Sequence, residues 1–368
     1  MRRLPAKRIS CCSIVHYHDE GGYGRFGSFT MKNVVHLGPV GSPGGMSSVI
    51  NLLVENPPDG WRASSIPTHS EEGILEKILA WKGAKTKLKR LVTNNEVDVA
   101  HFHVTHSMSW WRKRNLMGVC SRNGVPSVVH IHSGRFDNFC KRFAGGSVKR
   151  TLGIEGRKTV VLEHRWLNKL GRWIPDDAEV IANPCKPTSS KEEGHVPSEL
   201  LRLLMLSRAD RMKGHGFAVK VLDSLRSRGV SCSLKVTGWK MGEGTHSKHE
   251  GVEALGWVSD LRKSELISES DFLLMPSSFE GSSMAVIESV VNGLPCICSP
   301  ACYETIGIPS LVLDLNDPED WAERIIELSN PNSYREIVSQ LGVNSTRFLV
   351  DDIRKEWGVV YGKLVSLL

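Results

Sequence analysis

The sequence predicts an α/β protein with two domains, each built on a parallel sheet. The chain has 368 residues, which is longer than most single domains. Short apolar runs alternate with amphipathic segments, as expected for buried parallel strands joined by helices. A polar stretch without periodicity, KPTSSKEEGHVPS, follows residue 185. Such a stretch is typical of a linker, so we expect the domain boundary there.

The composition is that of a soluble globular protein, with 40% hydrophobic and 24% charged residues. No apolar run approaches about 18 residues, so no transmembrane helix is predicted. The first 20 residues are basic but lack the apolar core and the cleavage site of a signal peptide. The nine cysteines are scattered and form no CxxC pair. We therefore expect reduced thiols and a cytoplasmic protein.

The net charge of +7 is unevenly distributed along the chain. Residues 1–183 hold 27 Lys and Arg against 15 Asp and Glu, whereas residues 184–368 hold 20 against 25. Basic clusters occur at WKGAKTKLKR, at WWRKR and between Arg135 and Arg150. Any single cluster is explained equally well as a solvated face. Together they favour a phosphate-bearing partner or an anionic membrane surface, which would place the protein at the inner face of the cytoplasmic membrane. No helix-turn-helix, zinc finger or RNP-like motif is present, so nucleic acid is not an expected partner.

In the first half, residues 1–30 lack periodicity, and we expect them to be disordered or extraneous. Residues 31–185 form the predicted first domain, with a helix starting at about Met46. Its strands are predicted at 34–38, 97–103, 126–132 and 179–184.

Residues 198–345 form the predicted second domain, with helices over about 216–229 and from about Ser282. The final segment, 346–368, has apolar residues at helical spacing, and we expect a terminal helix that packs on a folded domain. The strands of the second domain are predicted at 201–207, 232–238, 252–258, 271–277, 295–300 and 310–315.

A glycine-rich loop, GPVGSPGGM, lies between a predicted strand and a predicted helix, where phosphate-binding loops occur. It matches neither GxGxxG nor a P-loop. One interpretation is a tight turn from strand to helix. The other is that Gly44 and Gly45 bring backbone amides close to a ligand in a cleft between the domains.

Two basic residues, Arg208 and Lys213, follow the first strand of the second domain. Ligands bind α/β proteins at the carboxyl ends of parallel strands, and fixed cations there suit an anion. The segment FEGSSMAVIES adds Glu280 and Glu288. Eight residues of helix would separate these carboxylates by roughly 12 Å, which is too far for the acid and nucleophile pair of a glycosidase. We expect a helix N-terminus between them, whose free amides suit a diphosphate.

The order MLSRADRMKG, VTG, LGWVSD, DFLLMPSSFEGSSMAVIES and NGLPCICSP resembles the nucleotide-binding domain of GT-B glycosyltransferases, specifically the retaining enzymes of glycosyltransferase family 4. The two glutamates match the E-x7-E motif of that family. HLGPVGSPGGM, VDVAHFHVTHSMSWWRK, VPSVVHIHSG and VIANP are similar to the acceptor domain of bacterial polysaccharide-type members. Over about residues 31–365, the resemblance implies two Rossmann-like domains that face each other across a cleft, with the C-terminal helix crossing back to the first domain.

The resemblance also implies an activity. It is the metal-independent transfer of a sugar, with retention, from a nucleotide-diphosphate sugar to a glycan or a lipid-linked acceptor in cell-surface polysaccharide synthesis. No cofactor is implied. Glu280 matches the residue that contacts the donor sugar, and His132 matches a histidine near the reaction centre. Gly44 or Gly45 matches the loop near the donor phosphate, and Val258 lies where the base is held.

The remaining donor contacts follow from the same resemblance. Arg208 and Lys213 match the diphosphate-binding cations, and Glu288 matches the ribose ligand. Ser283 and Met284 match the helix-start amides on the phosphate. The family usually has glycine where this chain has Ser283, a change that should keep the amide and narrow the pocket.

Three nearby histidines, His101, His103 and His106, have a spacing that resembles a metal site. Their alternation, and the metal independence of the family, favour residues of a strand or of the acceptor cleft instead. No metal site is therefore expected.

Four other functions compete with transfer. A nucleotide-sugar epimerase of the same fold stays open, whereas a phosphorylase would need the sequence context of a pyridoxal lysine, which is not apparent. A non-catalytic interaction protein that kept the fold is disfavoured by the four charged residues Arg208, Lys213, Glu280 and Glu288. A dehydrogenase is excluded because no GxGxxG is followed by an acidic residue about 20 positions later.

Overall fold

The computed structural model describes residues 31–42, 44–70, 72–188, 195–239 and 248–366. The prediction for residues 1–30 falls outside this part of the chain. Two parallel sheets with helices packed on them form the framework, which confirms the predicted fold class. Among the helices described, none combines the length and the apolar character that a bilayer span requires.

The first sheet has six strands, and its parallel pairing follows from short apolar runs that are buried on both faces. The strands are β1 (Lys32–Gly38), β2 (Trp61–Pro67), β3 (Val99–Val104), β4 (Ser127–Ile131), β5 (Arg157–Val161) and β6 (Glu179–Val180). Their order is β2-β1-β3-β4-β5-β6. The helices of this domain are α1 (Gly45–Glu55), α2 (Ile74–Thr93), α3 (Met108–Arg122), α4 (Phe136–Phe139), α5 (Gly145–Leu152) and α6 (His164–Leu170), and a π-helical turn, Cys140–Ala144, joins α4 to α5.

The second sheet has five strands in the order β11-β10-β7-β8-β9, where β7 is Leu201–Met205, β8 is Cys232–Thr237, β9 is Val252–Gly256, β10 is Phe272–Met275 and β11 is Cys296–Cys298. Its helices are α7 (His215–Ser227), α8 (Asp260–Glu269), α9 (Met284–Val291), α10 (Tyr303–Ile306), α11 (Pro318–Leu328) and α12 (Pro331–Ser345). Short 3-10 turns lie at Arg211–Lys213, Pro300–Cys302, Pro309–Leu311 and Thr346–Phe348.

The strands differ from the prediction in a few places. The sequence did not predict β2 and β5: β2 is an edge strand with only Trp61 and Ile66 buried among mostly polar residues, and β5 opens on two basic residues. The strand predicted at 310–315 is wrong. A 3-10 turn with a proline in its first turn occupies the start of that segment, and Val312 makes only an isolated bridge to Cys298.

The last helix, α13 (Val350–Ser366), crosses back to the first domain as predicted. Trp357 and Tyr361 are both 1% exposed, and they pack with valines from β1, β3, β4 and β5. The chain crosses between the domains twice, at Cys185 and again before α13. The two crossings lie side by side, because the amide of Cys185 donates to Phe348 O at 2.7 Å and the amide of Val350 donates to Cys185 O at 3.2 Å.

Candidate active site

The carboxyl ends of the strands in both sheets open onto one cleft of about 1060 Å³. This is the edge of a parallel sheet where α/β proteins bind ligands. All ten residues that the sequence predicted for the site line this cleft. They are Gly44, Gly45, His132, Arg208, Lys213, Val258, Glu280, Ser283, Met284 and Glu288.

Two glycines let the domains meet backbone to backbone at the centre of the cleft. A Cβ atom on Gly134 would overlap the carbonyl oxygen of Glu280, and one on Gly281 would lie 2.5 Å from the carbonyl oxygen of His132. Any side chain at either position would force these segments apart. Trp166 fixes the same segment, since its Nε1 donates to Gly281 O at 2.6 Å. The backbones that carry His132 and Glu280 are therefore in direct contact.

The glycine-rich loop brings two helix N-termini together. Gly44 has a φ of 132°, which strongly favours glycine, and Gly45 opens α1. A Cβ atom on Gly45 would lie 2.7 Å from Cγ of Met284, the first residue of α9. Neither α1 nor α9 has a side chain that caps its first amides. These amides and the positive ends of two helix dipoles are thus available to an anion.

Lys213 and Glu280 form an ion pair on one side of the cleft, with Nζ and Oε1 separated by 2.6 Å. Lys213 ends a 3-10 turn that Asp210 caps by accepting a hydrogen bond from the amide of Met212. The amide of Ser278 donates to Met212 O at 2.9 Å and ties this turn to the segment that leads to Glu280. Both partners of the ion pair are therefore held by short, local backbone contacts.

Arg208 is a cation of the cleft that has no carboxylate partner among the described residues. It is exposed, and no described residue forms an ion pair with it. It lies five residues before Lys213, on the loop that follows β7. A flexible guanidinium with no carboxylate partner suits the predicted contact to an anionic ligand.

Glu288 is paired with a lysine that the sequence did not predict. Lys263 of α8 lies with its Nζ 2.6 Å from Oε1 of Glu288 and 3.1 Å from Oδ1 of Asp260. Burial is the largest single influence and opposes the charge on Lys263, but the Glu288 and Asp260 carboxylates together outweigh it and raise the pKa of Lys263. In the sequence Lys263 looks like an ordinary surface charge of an amphipathic helix, so no motif identifies it.

Five histidines of the first domain form a hydrogen-bonded cluster behind the cleft. The strand register pairs His36 with His101 and His103 with His130. His103 shares hydrogen bonds of 3.0 Å with both His36 and His132. His101 shares one of 3.3 Å with His130. Because His132 uses Nε2 inside the cluster, Nδ1 is the ring nitrogen that a ligand in the cleft would meet.

The histidine cluster is uncharged at neutral pH. Burial lowers the pKa of His36 to about 3, and burial followed by the charge of Lys113 lowers that of His132 to about 3. Burial also lowers the pKa values of His101 and His130. Neutral His132 therefore acts in the cleft as a hydrogen-bonding group and not as a cation.

The structure does not bring together His101, His103 and His106, whose spacing resembles a metal site. His101 and His103 are buried on β3, whereas His106 lines the cleft and bonds Ser133 Oγ through Nδ1 at 2.8 Å. Two other sets of imidazole nitrogens lie within 4.8 Å of one another: His36 with His101 and His103, and His103 with His130 and His132. The internal hydrogen bonds described above already use most of these nitrogens. Nε2 of His130 is buried without a hydrogen-bond partner among the described residues.

Lys113 is a second lysine that the sequence did not predict as a site residue. It is 3% exposed, and its Nζ donates to Ser109 Oγ at 2.9 Å. Burial and, to a smaller degree, the charge of Arg112 lower its pKa to about 7. The charge of Lys113 therefore changes near neutral pH, and while it is present it helps to lower the pKa of His132. The segment WWRKR showed only that the region is basic.

Hydrogen bonds at the start of α6 connect the first domain to the second. Arg165 lies with its Nε 2.5 Å from Oε2 of Glu163, and its backbone amide donates to Oε2 of Glu304 at 3.0 Å. Thr305 donates a hydrogen bond to Glu163, and burial raises the pKa of that carboxyl. Arg165 Nη2 also donates to Gly281 O at 3.4 Å. These contacts hold the segment that carries Glu280.

Comparison with known proteins agrees with this geometry. Residues 201–330 match the family model described as glycosyl transferases group 1. The putative glycosyltransferase EpsF of Bacillus subtilis (strain 168) is 27% identical over 184 residues, which are 46% of this chain and 48% of EpsF. The matches thus span about half or less of the length of the curated relatives.

Solved structures match over nearly the whole chain. Sucrose-phosphate synthase from Thermosynechococcus elongatus aligns with a TM-score of 0.67 and 15% identity, over 92% of this chain and 100% of that structure. HepE from Anabaena, in complex with UDP-glucose, aligns with a TM-score of 0.63 and 15% identity, over 91% and 100%. At this identity the likeness shows the fold alone. The predicted resemblance to GT-B glycosyltransferases is therefore confirmed, with residues 201–330 matching group 1, and the chain has their two-domain fold.

Proposed function

We propose that the chain is a retaining glycosyltransferase that moves a sugar from a nucleotide-diphosphate sugar to a glycan or a lipid-linked acceptor in cell-surface polysaccharide synthesis. The observation that carries the proposal is the single cleft lined by all ten predicted residues, with Lys213 held 2.6 Å from Glu280. The match of residues 201–330 supports the transfer activity. The acceptor class rests on the motifs of the first domain.

The donor would lie along the N-terminus of α9. Its diphosphate meets the free amides at Ser283 and Met284, with Arg208 and Lys213 supplying positive charge. Glu288, placed on α9 and paired with Lys263, faces the ribose, and Val258 lies beside the base. HepE, which has the same fold, has been solved in complex with UDP-glucose, and this supports a nucleotide-sugar donor.

In the transfer, the bond between the anomeric carbon and the diphosphate oxygen breaks, and the acceptor oxygen attacks from the same face. The acceptor proton passes to the departing phosphate oxygen. Arg208, Lys213 and the helix N-terminus stabilise the charge that develops on the diphosphate, an electrostatic role of the oxyanion-hole type. Glu280 and neutral His132 orient the sugar. Lysines already pair with Glu280, Glu288 and Asp260, so the proposed mechanism needs no divalent metal at these carboxylates.

A donor screen tests this function. The full chain is incubated with UDP-, GDP- and ADP-sugars, and release of the nucleoside diphosphate is measured. We expect one donor to be hydrolysed slowly, and Glu280→Ala to abolish that release because the sugar loses its main polar contact. Glu327→Ala, an exposed carboxylate of α11, is the matched control and should behave as the unaltered protein. Equal turnover in Glu280→Ala and the control would reject the site. Conversion of a donor without nucleotide release would indicate an epimerase.

We also propose that the first domain docks on an anionic membrane from the cytoplasmic side. Its surface exposes large apolar side chains beside its basic clusters: Phe143 is 84% exposed, Leu75 71%, Leu79 65% and Met108 64%. Apolar side chains among lysines and arginines are the features that bind an acidic bilayer surface.

Vesicle flotation tests this docking. Vesicles of phosphatidylcholine with and without phosphatidylglycerol are mixed with the full chain at low salt, and the bound fraction is measured. We expect binding to the anionic vesicles only, and weaker binding of Phe143→Ser because an apolar anchor is lost. Val343→Ser is the matched control, since Val343 is 74% exposed on α12 of the second domain. Equal partitioning to neutral and anionic vesicles would contradict the proposal.

A further inference from the structure

A second pocket, of about 420 Å³, lies on the outer face of the first domain between α3 and α5. It shares no lining residue with the cleft. Four arginines line it, and none of its lining residues is acidic. The arginines are Arg114, Arg122, Arg150 and Arg157. A concave site with four guanidinium groups and no carboxylate carries an uncompensated positive charge.

Arg157 forms the floor of this arginine pocket. It is 9% exposed, and its guanidinium donates to Thr151 O and, at 3.3 Å, to Met117 O. Thr151 lies in the last turn of α5, where the helix dipole is negative, whereas Met117 lies one turn before the end of α3. Nη2 also donates to Ser121 Oγ at 2.6 Å. These bonds orient the side chain, yet its Nε has no hydrogen-bond partner among the described residues.

The other three arginines lie at the rim and are exposed. Arg114 donates through Nε to Thr151 Oγ1 at 3.2 Å, and Arg150 donates through Nε to Gly146 O at 3.2 Å. Both bonds use Nε, so the outer nitrogens of these guanidinium groups stay available. No described carboxylate pairs with any of the four arginines, although ion pairs are frequent elsewhere on this chain.

Gly118 leaves room for the side chain of Arg122, the fourth arginine of the pocket. It lies inside α3, where glycine is less favourable than alanine by roughly 0.5–1 kcal/mol. A Cβ atom there would lie 3.3 Å from Nη1 of Arg122, so Arg122 folds along the helix over Gly118. The indole of Trp111 lies at the same rim, with the guanidinium of Arg114 5.7 Å from its ring centre. The rim therefore offers both a cation and an aromatic face.

We propose that the arginine pocket binds a phosphate ester with at least two negative charges, separately from the donor cleft. Guanidinium groups bind phosphate oxygens in pairs, and a partly buried, preoriented arginine strengthens such contacts. The volume exceeds that of a bare phosphate, and Trp111 would cover a sugar ring or another flat group attached to it. The ligand is a soluble sugar phosphate or the phosphate of a lipid headgroup.

Arg157 also has a structural role, because it donates hydrogen bonds to carbonyls of both α3 and α5. A test should therefore leave it in place and remove rim arginines. The variant Arg122→Gln/Arg150→Gln removes two charges that make no hydrogen bond or ion pair to another helix in the part of the chain that the structure describes. Arg62→Gln/Arg90→Gln is the matched control, since Arg62 and Arg90 are exposed and line neither pocket.

The probe is inorganic pyrophosphate, titrated into the full chain by calorimetry at fixed ionic strength. Because the cleft also attracts diphosphates, the titration is repeated in Lys213→Ala, whose pyrophosphate binding reports mainly the arginine pocket. We expect Arg122→Gln/Arg150→Gln to weaken this binding by about tenfold or more, since charge-assisted hydrogen bonds are lost. Nucleotide-sugar turnover should stay within about twofold of the unaltered protein, because the pocket shares no residue with the cleft.

A second arm measures binding to phosphatidylcholine vesicles with and without phosphatidic acid. Loss of both pyrophosphate and vesicle binding in Arg122→Gln/Arg150→Gln would assign the ligand to a lipid phosphate. Loss of pyrophosphate binding alone would assign it to a soluble phosphate ester. Equal weakening in this variant and in Arg62→Gln/Arg90→Gln would show a general charge effect and overturn the site. Pyrophosphate binding that is unchanged in both double variants would also overturn the site.

Discussion

Acidification from pH 7 to pH 5 is expected to cost the first domain most of its folding free energy. Burial depresses the pKa values of His36, His101, His103 and His130, so the folded protein keeps these imidazoles neutral. The unfolded chain binds protons at them below a pH of about 6.5. Their stabilising contribution is therefore complete above pH 6.5 and is lost as the pH falls below it.

The magnitude follows from linkage. Each pH unit below 6.5 costs about 1.4 kcal/mol per imidazole, so the four together cost about 8 kcal/mol at pH 5. Domains of this size are stable by about 5–15 kcal/mol. Urea unfolding, followed by tryptophan fluorescence at pH 5 to 8, measures the effect. A free energy of unfolding that changes by less than about 2 kcal/mol over this range would contradict the prediction.

Two variants distinguish the pH dependence caused by the histidine cluster from that caused by other titrating groups. His36→Leu removes one buried imidazole and should reduce the slope of unfolding free energy against pH by about one proton. The matched control is His249→Leu, because His249 lies in the second domain, outside the histidine cluster, and bonds Asp223 at 3.1 Å. His249→Leu should leave unchanged the slope of the first domain's unfolding free energy against pH.

Lys213→Ala is expected to lower the turnover of the preferred donor by about 10²–10³-fold. The lysine would face the diphosphate as negative charge develops on it, and removal of one such donor costs about this much in other enzymes. Its loss also leaves the Glu280 carboxylate, which is 10% exposed, without its cation.

Glu288→Ala should instead raise KM more than it lowers kcat, since the ribose does not change its charge during the reaction.

Steady-state kinetics on the donor found in the screen measures both effects. Arg211→Ala is the matched control: Arg211 begins the same 3-10 turn, is exposed and does not line the cleft. It should keep kcat within about twofold. Lys213→Arg retains the charge and should recover part of the loss. A kcat of Lys213→Ala equal to that of Arg211→Ala would remove Lys213 from the mechanism.

The fold and most of the candidate site were predictable because both depend on local patterns. Buried strands alternate with helices, and residues that follow parallel strands meet at one sheet edge. Arg208 and Lys213 come directly after β7, and Glu280 follows β10, which is its hydrogen-bonded neighbour. Their common place in the cleft therefore follows from strand order alone. Glu288 follows from its place on α9, the helix that was predicted to begin just after Glu280.

The unpredicted contacts depend on geometry that one sequence does not contain. Lys263 reaches Glu288 only because α8 and α9 flank the same part of the sheet. The histidine cluster requires the register that sets His36 beside His101 and His103 beside His130. A shift of one residue would send these side chains to opposite faces. The arginine pocket likewise needs the packing of α3 on α5, and its residues look like solvated charges in the sequence.

The return of α13 has a consequence for the order in which the protein folds. Trp357 and Tyr361 complete the core of the first domain, and the hydroxyl of Tyr361 lies 2.7 Å from Nδ1 of His101. On the ribosome, these residues emerge only after the entire second domain has been made. The half that is synthesised first must therefore wait with an open apolar face and without the Tyr361 hydroxyl that contacts His101. In this chain, the earliest domain to be translated is the last to mature.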